Sequence, residues 1–556
     1  MIAVENRRRF TYMQLHMKDK KTRRLQDRAL GFKQTIDTEE ANQIPGQAPL
    51  SSLSRKFPRP ADDGIIVCPV GGVGRIGMNM TLYGFAGKWI MVDAGSAFAK
   101  DVEGVGGIMP DPKSLAAILP HLEALLVTHA HEDHIGAIHH LWPTIKCPIY
   151  ATPFAIELLR GRLAQKGTQN EVKFKAFKPG DTLSVGPFTV QTVPITHSTP
   201  ECVSMAISTK IGTIMHTGDW KLDPDPLIGT LTDIDALKAI GDRGVLALLC
   251  DSTNAEREAG ITSESDVARN MEHVFRTRRG AIVISCFATN VARLAAIGQA
   301  ASATGRKVAL AGRSLETTEA AARAVGLIDD TFPFLADVKH LKGLEPHEMV
   351  IVCTGTQGEE RAALAKLARR ENWRLPEIGS GDTVIHSARA IPGNEEPIEA
   401  MMALFRKRGI EVLMGAADDK ALHVTGHASR GELQTMYGLI RPKFAIPVHG
   451  EPSHMTAHAK LAMECGVAAS TLSEEGDVLR VTRTGVQKIA QVKITHLAVL
   501  ESLGENLVAW DLARNAPVQK KQAKPVAAKR ANRARRQNPK PPIFAKPQQP
   551  NNARAA

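Results

Sequence analysis

The densest group of chemically useful side chains lies at residues 127–136, Val-Thr-His-Ala-His-Glu-Asp-His-Ile-Gly. This segment places three imidazoles and one carboxylate within six positions: His129, His131, Asp133 and His134. Neutral imidazole nitrogens and carboxylate oxygens are the ligands that zinc and similar cations prefer. The alternative is a polar surface turn with solvated histidines, but the surrounding pattern favours a metal-binding loop.

The elements on either side of this loop must position its ligands. Leu122–Thr128 is predicted to form a short buried strand, and His134–Trp142 the start of a helix. Four ligands on so short a segment point in two directions, so two neighbouring ions are easier to build than one tetrahedral site. We expect the first two histidines to hold one ion, and the aspartate and the third histidine to hold the other.

Three later residues are candidates to complete the two sites. His197 follows the alternating run Phe188–Val193, Asp219 follows a strand-like run, and His449 ends another. Each alone would more often be a turn residue or a residue at the edge of the core. Three such residues at predicted strand ends, downstream of a metal-binding loop, favour metal ligands. Asp219 is the natural bridge, because a carboxylate has two oxygens to share between cations.

In this order, the residues resemble the metallo-β-lactamase fold in its nuclease branch, the β-CASP family. Asp251 in Leu-Leu-Cys-Asp-Ser-Thr-Asn, His427 in His-Val-Thr-Gly-His-Ala-Ser and His449 match three motifs of that branch. Within the family, the chain is most similar to bacterial ribonuclease J. That similarity rests on stretches at residues 71–79, 217–221, 312–315, 353–359 and 391–394. The resemblance runs from about residue 62 to about residue 477.

The resemblance implies a fold and a ligand set. The implied fold is α/β: a metallo-β-lactamase αββα sandwich with an inserted β-CASP α/β domain. The implied ligands are His129, His131 and His197 for the first ion, Asp133, His134 and His449 for the second, and Asp219 as the bridge. Two zinc ions per chain are expected, with manganese or magnesium as alternatives. Such a pair, about 3.5–4 Å apart, activates water and neutralises charge on a phosphate.

Catalytic roles are implied for Asp219, Asp251 and His427. Asp251 is expected to orient a neighbouring imidazole by a hydrogen bond. It could equally be the N-cap of Asp-Ser-Thr-Asn. His427 is expected to contact the scissile phosphate or to protonate the leaving oxygen. The alternative for His427 is a turn histidine whose hydrogen bonds are satisfied.

Two strand-to-helix loops are candidates for binding phosphate groups. One precedes the helix-like stretch Glu359–Arg369, where backbone amides could face an anion, and the other lies in a similar position near residue 290. In ribonuclease J, such loops and the segment around His423 hold nucleotide phosphates, including a 5′-monophosphate end. The candidate substrate-binding residues are Gly355, Gln357, Gly358, Asn290, Arg293, His423 and Thr425. Either loop could equally be only structural.

At 556 residues, the chain is too long for a single core. We predict a basic N-terminal extension and linker at 1–61, the metallo-β-lactamase domain at 62–255 and 413–485, and the β-CASP domain at 256–412. A short unassigned region follows at 486–513, and then a basic disordered tail at 514–556. The N-terminal extension could instead be a transit peptide, but its six acidic residues argue against that.

The two ends account for the basic composition. Residues 514–556 contain 12 Lys and Arg and no acidic residue, and residues 1–60 contain 13 Lys and Arg against 6 Asp and Glu. Since the formal net charge is +12, residues 61–513 carry −7. Basic tails supply salt-dependent affinity for phosphate backbones, so we expect the tail to contact RNA, a ribosome or a degradosome. A solvated tail without function is the alternative.

Other features point to a cytoplasmic protein without a membrane partner. The seven cysteines form no Cys-x-x-Cys pattern and sit mostly in apolar runs, as reduced packing residues do. No apolar stretch approaches 18 residues. Members of the ribonuclease J family commonly carry a folded C-terminal domain that is linked to self-association. Only 107 residues follow His449, which leaves a homodimer open.

The leading function is a two-metal ribonuclease acting on single-stranded RNA in RNA maturation and decay, including rRNA processing and mRNA decay. It would combine 5′-to-3′ exonuclease activity, preferring 5′-monophosphate ends, with endonuclease activity. A β-CASP DNA nuclease is the second alternative. DNA-directed members of the family, however, carry an apolar residue in the third motif, where this chain has His449. A small-substrate metallo-hydrolase is disfavoured by the inserted domain. An RNA-binding protein with a dead site is disfavoured because every expected ligand position is filled.

Overall fold

A computed structural model describes residues 53–97, 104–258, 262–328, 331–335, 337–371, 374–391, 393–415, 421–500 and 506–518. Most of the predicted N-terminal extension and nearly all of the predicted disordered tail lie outside these residues. Within them, none of the helices is long and apolar enough to cross a membrane. Six of the seven cysteines are buried thiols, and Cys465 is exposed.

The described residues form strands and helices in the following chain order. The strands are β1 Ile65–Gly71, β2 Met80–Phe85, β3 Lys88–Val92, β4 Val105–Pro110, β5 Leu122–Leu126, β6 Ile149–Ala151, β7 Phe174–Ala176, β8 Thr182–Val185, β9 Phe188–Pro194, β10 Val203–Thr209, β11 Gly212–His216, β12 Ala247–Asp251, β13 Ile282–Ser285, β14 Lys307–Ala311, β15 Met349–Cys353, β16 Thr383–His386, β17 Glu411–Met414, β18 Phe444–Val448, β19 Ala469–Ser470, β20 Asp477–Val481, β21 Val486–Gln491, β22 His496–Leu500, β23 Asn506–Asp511 and β24 Ala516–Pro517. The α-helices are α1 Glu132–Ile135, α2 Ile138–Ile145, α3 Pro153–Gln165, α4 Ile234–Arg243, α5 Glu264–Thr277, α6 Val291–Thr304, α7 Arg313–Ala324, α8 Ala363–Ala368, α9 Glu395–Arg406, α10 Arg430–Ile440 and α11 Pro452–Glu464.

Two large sheets pack face to face. One has the strand order β21-β20-β1-β2-β3-β5-β6-β7, and the other β19-β18-β12-β11-β10-β9-β8. Alternate residues along these strands point to a shared core that includes Val67, Tyr83, Val190, Met205 and Leu249. Helices α2 and α3 cover the outer face of the first sheet, and α4, α10 and α11 cover the second. This arrangement confirms the predicted αββα sandwich.

A parallel five-stranded sheet is inserted into the sandwich. Its strand order is β14-β15-β13-β16-β17, with α6 to α9 in the connections and α5 preceding β13. The insert lies in the chain between β12 and β18, which nevertheless pair in parallel within the sandwich. One hydrophobic cluster contains residues of both parts, such as Leu141 of the sandwich and Ile297 of the insert. The insert is the predicted β-CASP domain.

The C-terminal strands correct the predicted boundaries after residue 485. Strand β21 pairs with β20 and so extends the eight-stranded sheet. Strands β22, β23 and β24 join β4 in a four-stranded antiparallel sheet, where Ala498 and Trp510 pack against Met78 and Ile108. The described residues of the region predicted as unassigned, 486–500 and 506–513, are therefore folded, and strand β24 extends the folded part to Pro517. Sequence reasoning missed it because these strands are short and their partner β4 is remote in the chain.

Candidate active site

The seven predicted metal ligands meet at one end of the two sheets. His129 and His131 lie on the loop between β5 and α1, and Asp133 and His134 lie on α1 itself. His197, Asp219 and His449 follow β9, β11 and β18. Their ligand atoms form two groups within 4.8 Å, which share Asp219. The groups are His129, His131, His197 and Asp219, and Asp133, His134, Asp219 and His449.

Several donor atoms in these groups are buried without partners. Neither carboxylate oxygen of Asp219 accepts a hydrogen bond, and Nε2 of His129 has no partner either. Nε2 of His129 lies 3.8 Å from Oδ2 of Asp219, and Nε2 of His134 lies 3.2 Å from the same oxygen. Because a buried carboxylate without hydrogen bonds is costly, the donor set fits divalent cations held by the two groups.

Asp93 orients two of the imidazoles, and sequence reasoning missed it. Its two oxygens accept from the backbone N–H and the hydroxyl of Thr128, each at 2.8 Å. Since the hydroxyl proton is used there, Oγ1 of Thr128 accepts from Nδ1 of His129 at 3.0 Å. Asp93 also accepts from Nδ1 of His134 at 2.7 Å. Both histidines therefore present Nε2 lone pairs to the site.

A sequence signal for Asp93 was present. Asp93 directly follows strand β3, in Val-Asp-Ala-Gly, as Asp219 follows β11 after a Thr-Gly pair. Its φ of 60° lies in the left-handed region, which residues other than glycine seldom adopt. His449 shares this feature with a φ of 51°. Backbone strain of this kind clusters at functional sites.

His197 is held by the segment that carries His427. Its Nδ1 donates to the carbonyl of Gly426 at 2.6 Å, so Nε2 faces the ligand group and lies 2.9 Å from Nδ1 of His131. A Cβ at Gly426 would lie 2.6 Å from Cε1 of His197. Only glycine therefore allows this close approach.

Asn79 contacts the second ligand group. Its Nδ2 lies 3.2 Å from Oδ2 of Asp133 and 2.9 Å from Nε2 of His134. Nε2 of His449 is 3.1 Å from the same Asp133 oxygen. Asn79 ends the glycine-rich stretch 71–79 that carried part of the family resemblance, but it was given no role from the sequence. The geometry places it where it restrains the Asp133 carboxylate.

Asp251 contacts two imidazoles at once. Its Oδ2 lies 2.8 Å from Nδ1 of His427, and its Oδ1 lies 3.2 Å from Nδ1 of His449. Oδ1 also accepts from the backbone N–H of Thr253 at 2.9 Å and from its hydroxyl at 2.7 Å. Of the two alternatives drawn from the sequence, the geometry supports imidazole orientation, whereas no helix begins at Asp251 and its contacts with Thr253 close a turn.

Burial sets the charge states of the ligand histidines. It lowers the pKa of His131 to about 4 and holds the pKa values of His129 and His197 well below the ordinary value, so these imidazoles are neutral at neutral pH. Burial opposes ionisation of Asp219, but the neighbouring His134 holds its pKa at about 2. Burial also opposes protonation of His427, yet the Asp251 carboxylate raises its pKa overall.

The loop around Gln357 differs from the prediction. Helix α8 begins at Ala363, so Gly355, Gln357 and Gly358 do not lie at a helix N-terminus. The backbone N–H of Gln357 donates to the Glu359 carboxylate at 2.8 Å, which takes the place expected for an anion. The Gln357 side chain is buried and bonds to a neighbouring loop: its oxygen accepts from the N–H of Ile391, and its amide donates to the carbonyl of Arg389, both at 2.8 Å.

The prediction for Asn290 and Arg293 also needs correction. The side chain of Asn290 caps α6 by accepting from the N–H of Arg293 at 2.8 Å. Arg293 is completely buried, and its Nη2 lies 3.0 Å from Oε2 of Glu264. Its Nη1 donates to the carbonyl of Leu422 at 3.0 Å. The guanidinium therefore serves the interior, and an RNA phosphate has no access to it.

His423 and Thr425 lie on the segment that leads to His427. Oγ1 of Thr425 accepts from Nδ2 of Asn254 at 3.0 Å, and Nδ1 of His423 is buried without a hydrogen-bond partner. His386, which sequence reasoning missed, donates from Nε2 to the carbonyl of Thr356 at 2.9 Å, and it lies close enough to His423 to lower the pKa of that imidazole further after burial and Arg293. His386 ends strand β16, so its strand-end position was the available signal.

Comparison with known families matches three parts of the chain. Residues 88–241 match the beta-lactamase superfamily domain, and residues 279–404 match the ribonuclease J beta-CASP domain. Residues 419–472 match the Zn-dependent metallo-hydrolase RNA specificity domain. The last range contains His423, Thr425, His427 and His449.

Several curated proteins are similar over most of the chain. A ribonuclease J from Sinorhizobium meliloti is 42% identical over 75% of this chain and 74% of its own length. A ribonuclease J from Mycolicibacterium smegmatis is 38% identical over 75% and 74%, and one from Helicobacter pylori is 36% identical over 77% and 62%. A crystal structure of a protein of unknown function from Enterococcus faecalis V583 shares the fold, with a TM-score of 0.54 at 18% identity, covering 75% of this chain and 100% of that one.

Proposed function

The chain belongs to the ribonuclease J family of metal-dependent ribonucleases, and we propose that it hydrolyses phosphodiester bonds of single-stranded RNA at the shared ligand groups. The observation that carries this proposal is the pair of donor groups that share Asp219, with His427 beside them. A third group within 4.8 Å joins Asp219 and His449 to Asp251 and His427, so the metal ligands and the candidate proton donor belong to one cluster.

We propose two zinc ions as the resident cations. His129, His131, His197 and Asp219 would hold one, and Asp133, His134, His449 and Asp219 the other. Imidazole-rich donor sets with carboxylates suit zinc, and manganese is the alternative for the more carboxylate-rich group. When bound, such a pair lowers the pKa of water and neutralises charge on the phosphate under attack.

His427 is proposed to donate a proton to the leaving oxygen. Its side chain is 23% exposed, whereas Asp219 and His449 are 2% and 4% exposed, so the His427 imidazole is open to substrate. Asp251 binds Nδ1 and directs Nε2 outward. Burial lowers the pKa of His427, but the carboxylates of Asp251 and Asp219 together raise it above its usual value, which keeps a proton available near neutral pH.

The substrate end is proposed to be a 5′-monophosphate, with both 5′-to-3′ exonuclease and endonuclease activity in rRNA processing and mRNA decay. His423 and Thr425 are the side chains we propose to face the RNA 5′ end, together with backbone of Gly355 and Gly358. Support comes from His386, which lies beside His423 and donates to Thr356 in that glycine loop. The DNA-nuclease alternative is less well supported, because His449 stands within the second donor group.

Further partners are proposals from composition. Residues 519–556 carry 11 Lys and Arg and no acidic residue, which suits RNA, a ribosome or a degradosome. Deleting them is expected to weaken RNA binding and flatten its salt dependence while turnover of short oligomers stays the same. An unchanged salt slope would contradict this role. A cytoplasmic location stays a prediction from the cysteine pattern, and a homodimer stays a prediction from the family resemblance.

One assay tests the proposed function. A single RNA is prepared with a 5′-monophosphate or a 5′-triphosphate, beside single-stranded DNA of the same sequence. We expect preferred digestion of the monophosphate RNA, and a roughly 10²–10⁴-fold lower kcat for His427→Ala at unchanged metal content. His347→Ala, an exposed histidine of the insert, is the matched control. Preferred digestion of DNA, or full activity of His427→Ala, would contradict the proposal.

A further inference from the structure

The segment 421–427 is attached to both parts of the folded body. On the sandwich side, Nδ2 of Asn254 donates to the carbonyl of His427 at 3.0 Å, and His197 donates to the carbonyl of Gly426. The other end of the segment is attached to the insert. The carbonyl of Leu422 accepts from Arg293 at 3.0 Å and from the hydroxyl of Ser387 at 2.7 Å.

A third tether from the insert lies next to these two. Nδ2 of Asn270, on α5, donates to the carbonyl of Ala421 at 3.0 Å. The insert therefore holds two consecutive carbonyls that lie five and six residues before His427. Backbone carbonyls held at fixed points restrict the path of the short chain that follows, and so restrict the position of the imidazole at its end.

The guanidinium of Arg293 is fixed by a buried carboxylate. Glu264 and Arg293 are 2% and 0% exposed, and Nη2 of Arg293 lies 3.0 Å from Oε2 of Glu264. A buried arginine is costly unless its charge is paired and its donors form hydrogen bonds, and here only Nε lacks one. Its Nη1 finds them at Leu422 and at the hydroxyl of Ser387.

Glu264 is in turn attached to the metal-binding side of the sandwich. Its backbone N–H donates to Oδ2 of Asp223 at 3.0 Å, and Oδ2 of Asp223 lies 2.9 Å from Nζ of Lys221. Lys221 and Asp223 are buried and follow Asp219 closely in the chain. One chain of buried contacts thus connects the strand-end loop of Asp219, the insert and the segment of His427.

We propose that Arg293 is a positioning residue, which acts through the Leu422 carbonyl to place His427 against the metal centre. This inference rests on the proposed role of His427. It assigns the β-CASP insert a part in catalysis that does not involve contact with RNA. The planar guanidinium is required because its two Nη nitrogens reach Glu264 and Leu422 at once. A lysine at this position has a single terminal nitrogen, which cannot occupy both places.

A double-mutant cycle tests this proposal with Arg293→Lys, His427→Ala and the double variant. We expect Arg293→Lys to lower kcat on single-stranded RNA by roughly 10-fold or more, with little change in KM and unchanged metal content. Because Arg293 acts through His427, we expect no further loss of kcat when Arg293→Lys is added to His427→Ala. Additive losses would overturn the inference.

Two further variants separate positioning from general destabilisation. Arg306→Lys is the matched control, since Arg306 is another buried arginine of the insert and donates to the carbonyls of Arg278, Gly280 and Met349 instead. It is expected to lower thermal stability without lowering kcat at 25 °C. Asn270→Ala is the milder variant should Arg293→Lys fail to fold, and a fall in kcat that disappears in the His427→Ala background is again expected. If His427→Ala itself is fully active, the proposed function fails, and not the positioning inference alone.

Discussion

The metal centre and the glycine loop at residues 355–358 differ in how their polar groups are used. In the metal centre, both oxygens of Asp219 and Nε2 of His129 are buried and lack hydrogen-bond partners. In the loop, the amide of Gln357 is occupied by Glu359, and its side chain is occupied by Arg389 and Ile391. Unused buried donors indicate a place for a ligand, whereas fully used ones indicate a structural role.

A similar contrast separates two residues that were predicted to bind RNA, Arg293 of the insert and His423 of the segment that follows it. Both Nη nitrogens of Arg293 are occupied by Glu264, Ser387 and Leu422, and only its Nε lacks a partner. His423, by contrast, keeps a buried Nδ1 without a partner. The sequence pattern around both residues is typical of strand-to-helix or glycine-containing loops, so residue type and spacing alone did not distinguish a structural role from a binding role.

The largest effect is expected for His131→Ala, which removes a ligand of the metal centre. We expect loss of cleavage and loss of at least one equivalent of bound metal, because the first donor group would lose one of its three imidazoles. The chain should still fold, since His131 lies at the mouth of the site and does not belong to the core. Metal analysis and RNA digestion are measured together, and full activity of metal-depleted His131→Ala protein would refute the ligand assignment.

A smaller effect is expected for Asp93→Asn. An asparagine side chain has one acceptor oxygen where the aspartate has two, so it cannot accept all three hydrogen bonds from Thr128 and His134. Two ligand imidazoles therefore lose their fixed orientation. We expect metal affinity to fall by about 10–100-fold. Competition with a chelator measures this change, and Asp233→Asn, the N-cap of α4, is the control. Equal affinities for Asp93→Asn and wild type would show that Asp93 is only part of the fold.

The smallest effect is expected for Gln357→Ala. Removing its buried amide leaves the loop at Arg389 and Ile391 unsatisfied, which should cost about 1–3 kcal/mol of unfolding free energy. Metal content and kcat should stay near wild type. Thermal or denaturant unfolding measures the loss, with Gln487→Ala as control, because Gln487 is a half-buried glutamine on strand β21. Unchanged stability with a large rise in KM for 5′-monophosphate RNA would show that the side chain itself binds phosphate.

The sequence was sufficient for the fold class and for seven candidate ligands that the structure brings together, because a dense ligand motif and three polar strand ends are local patterns. The fold class is confirmed, while the ligand roles stay predictions that the geometry supports. Asp93 and His386 were missed although each lies at a strand end, because neither belongs to a motif. Their partners come from distant elements, and such pairings are visible only once the strands are arranged in a sheet.

The C-terminal strands and Arg293 show a second limit. Strand β22 pairs with β4, which lies near the other end of the folded part of the sequence. The sequence of β22 alone therefore gives no sign of this pairing. Arg293 was assigned to RNA because arginine beside a strand-to-helix loop often binds phosphate. Its burial depends on Glu264, which lies on a different helix. Long-range contacts decide both cases.

We propose that the two donor groups bind two divalent cations and share Asp219 as a common ligand. The direct measurement is elemental analysis of the purified, folded full-length chain after equilibration with zinc and removal of loosely bound metal. We predict two equivalents per wild-type chain and a loss of both sites' tight binding in Asp219→Ala. Fewer than one equivalent in folded wild-type protein, or two equivalents retained by Asp219→Ala, would contradict the account.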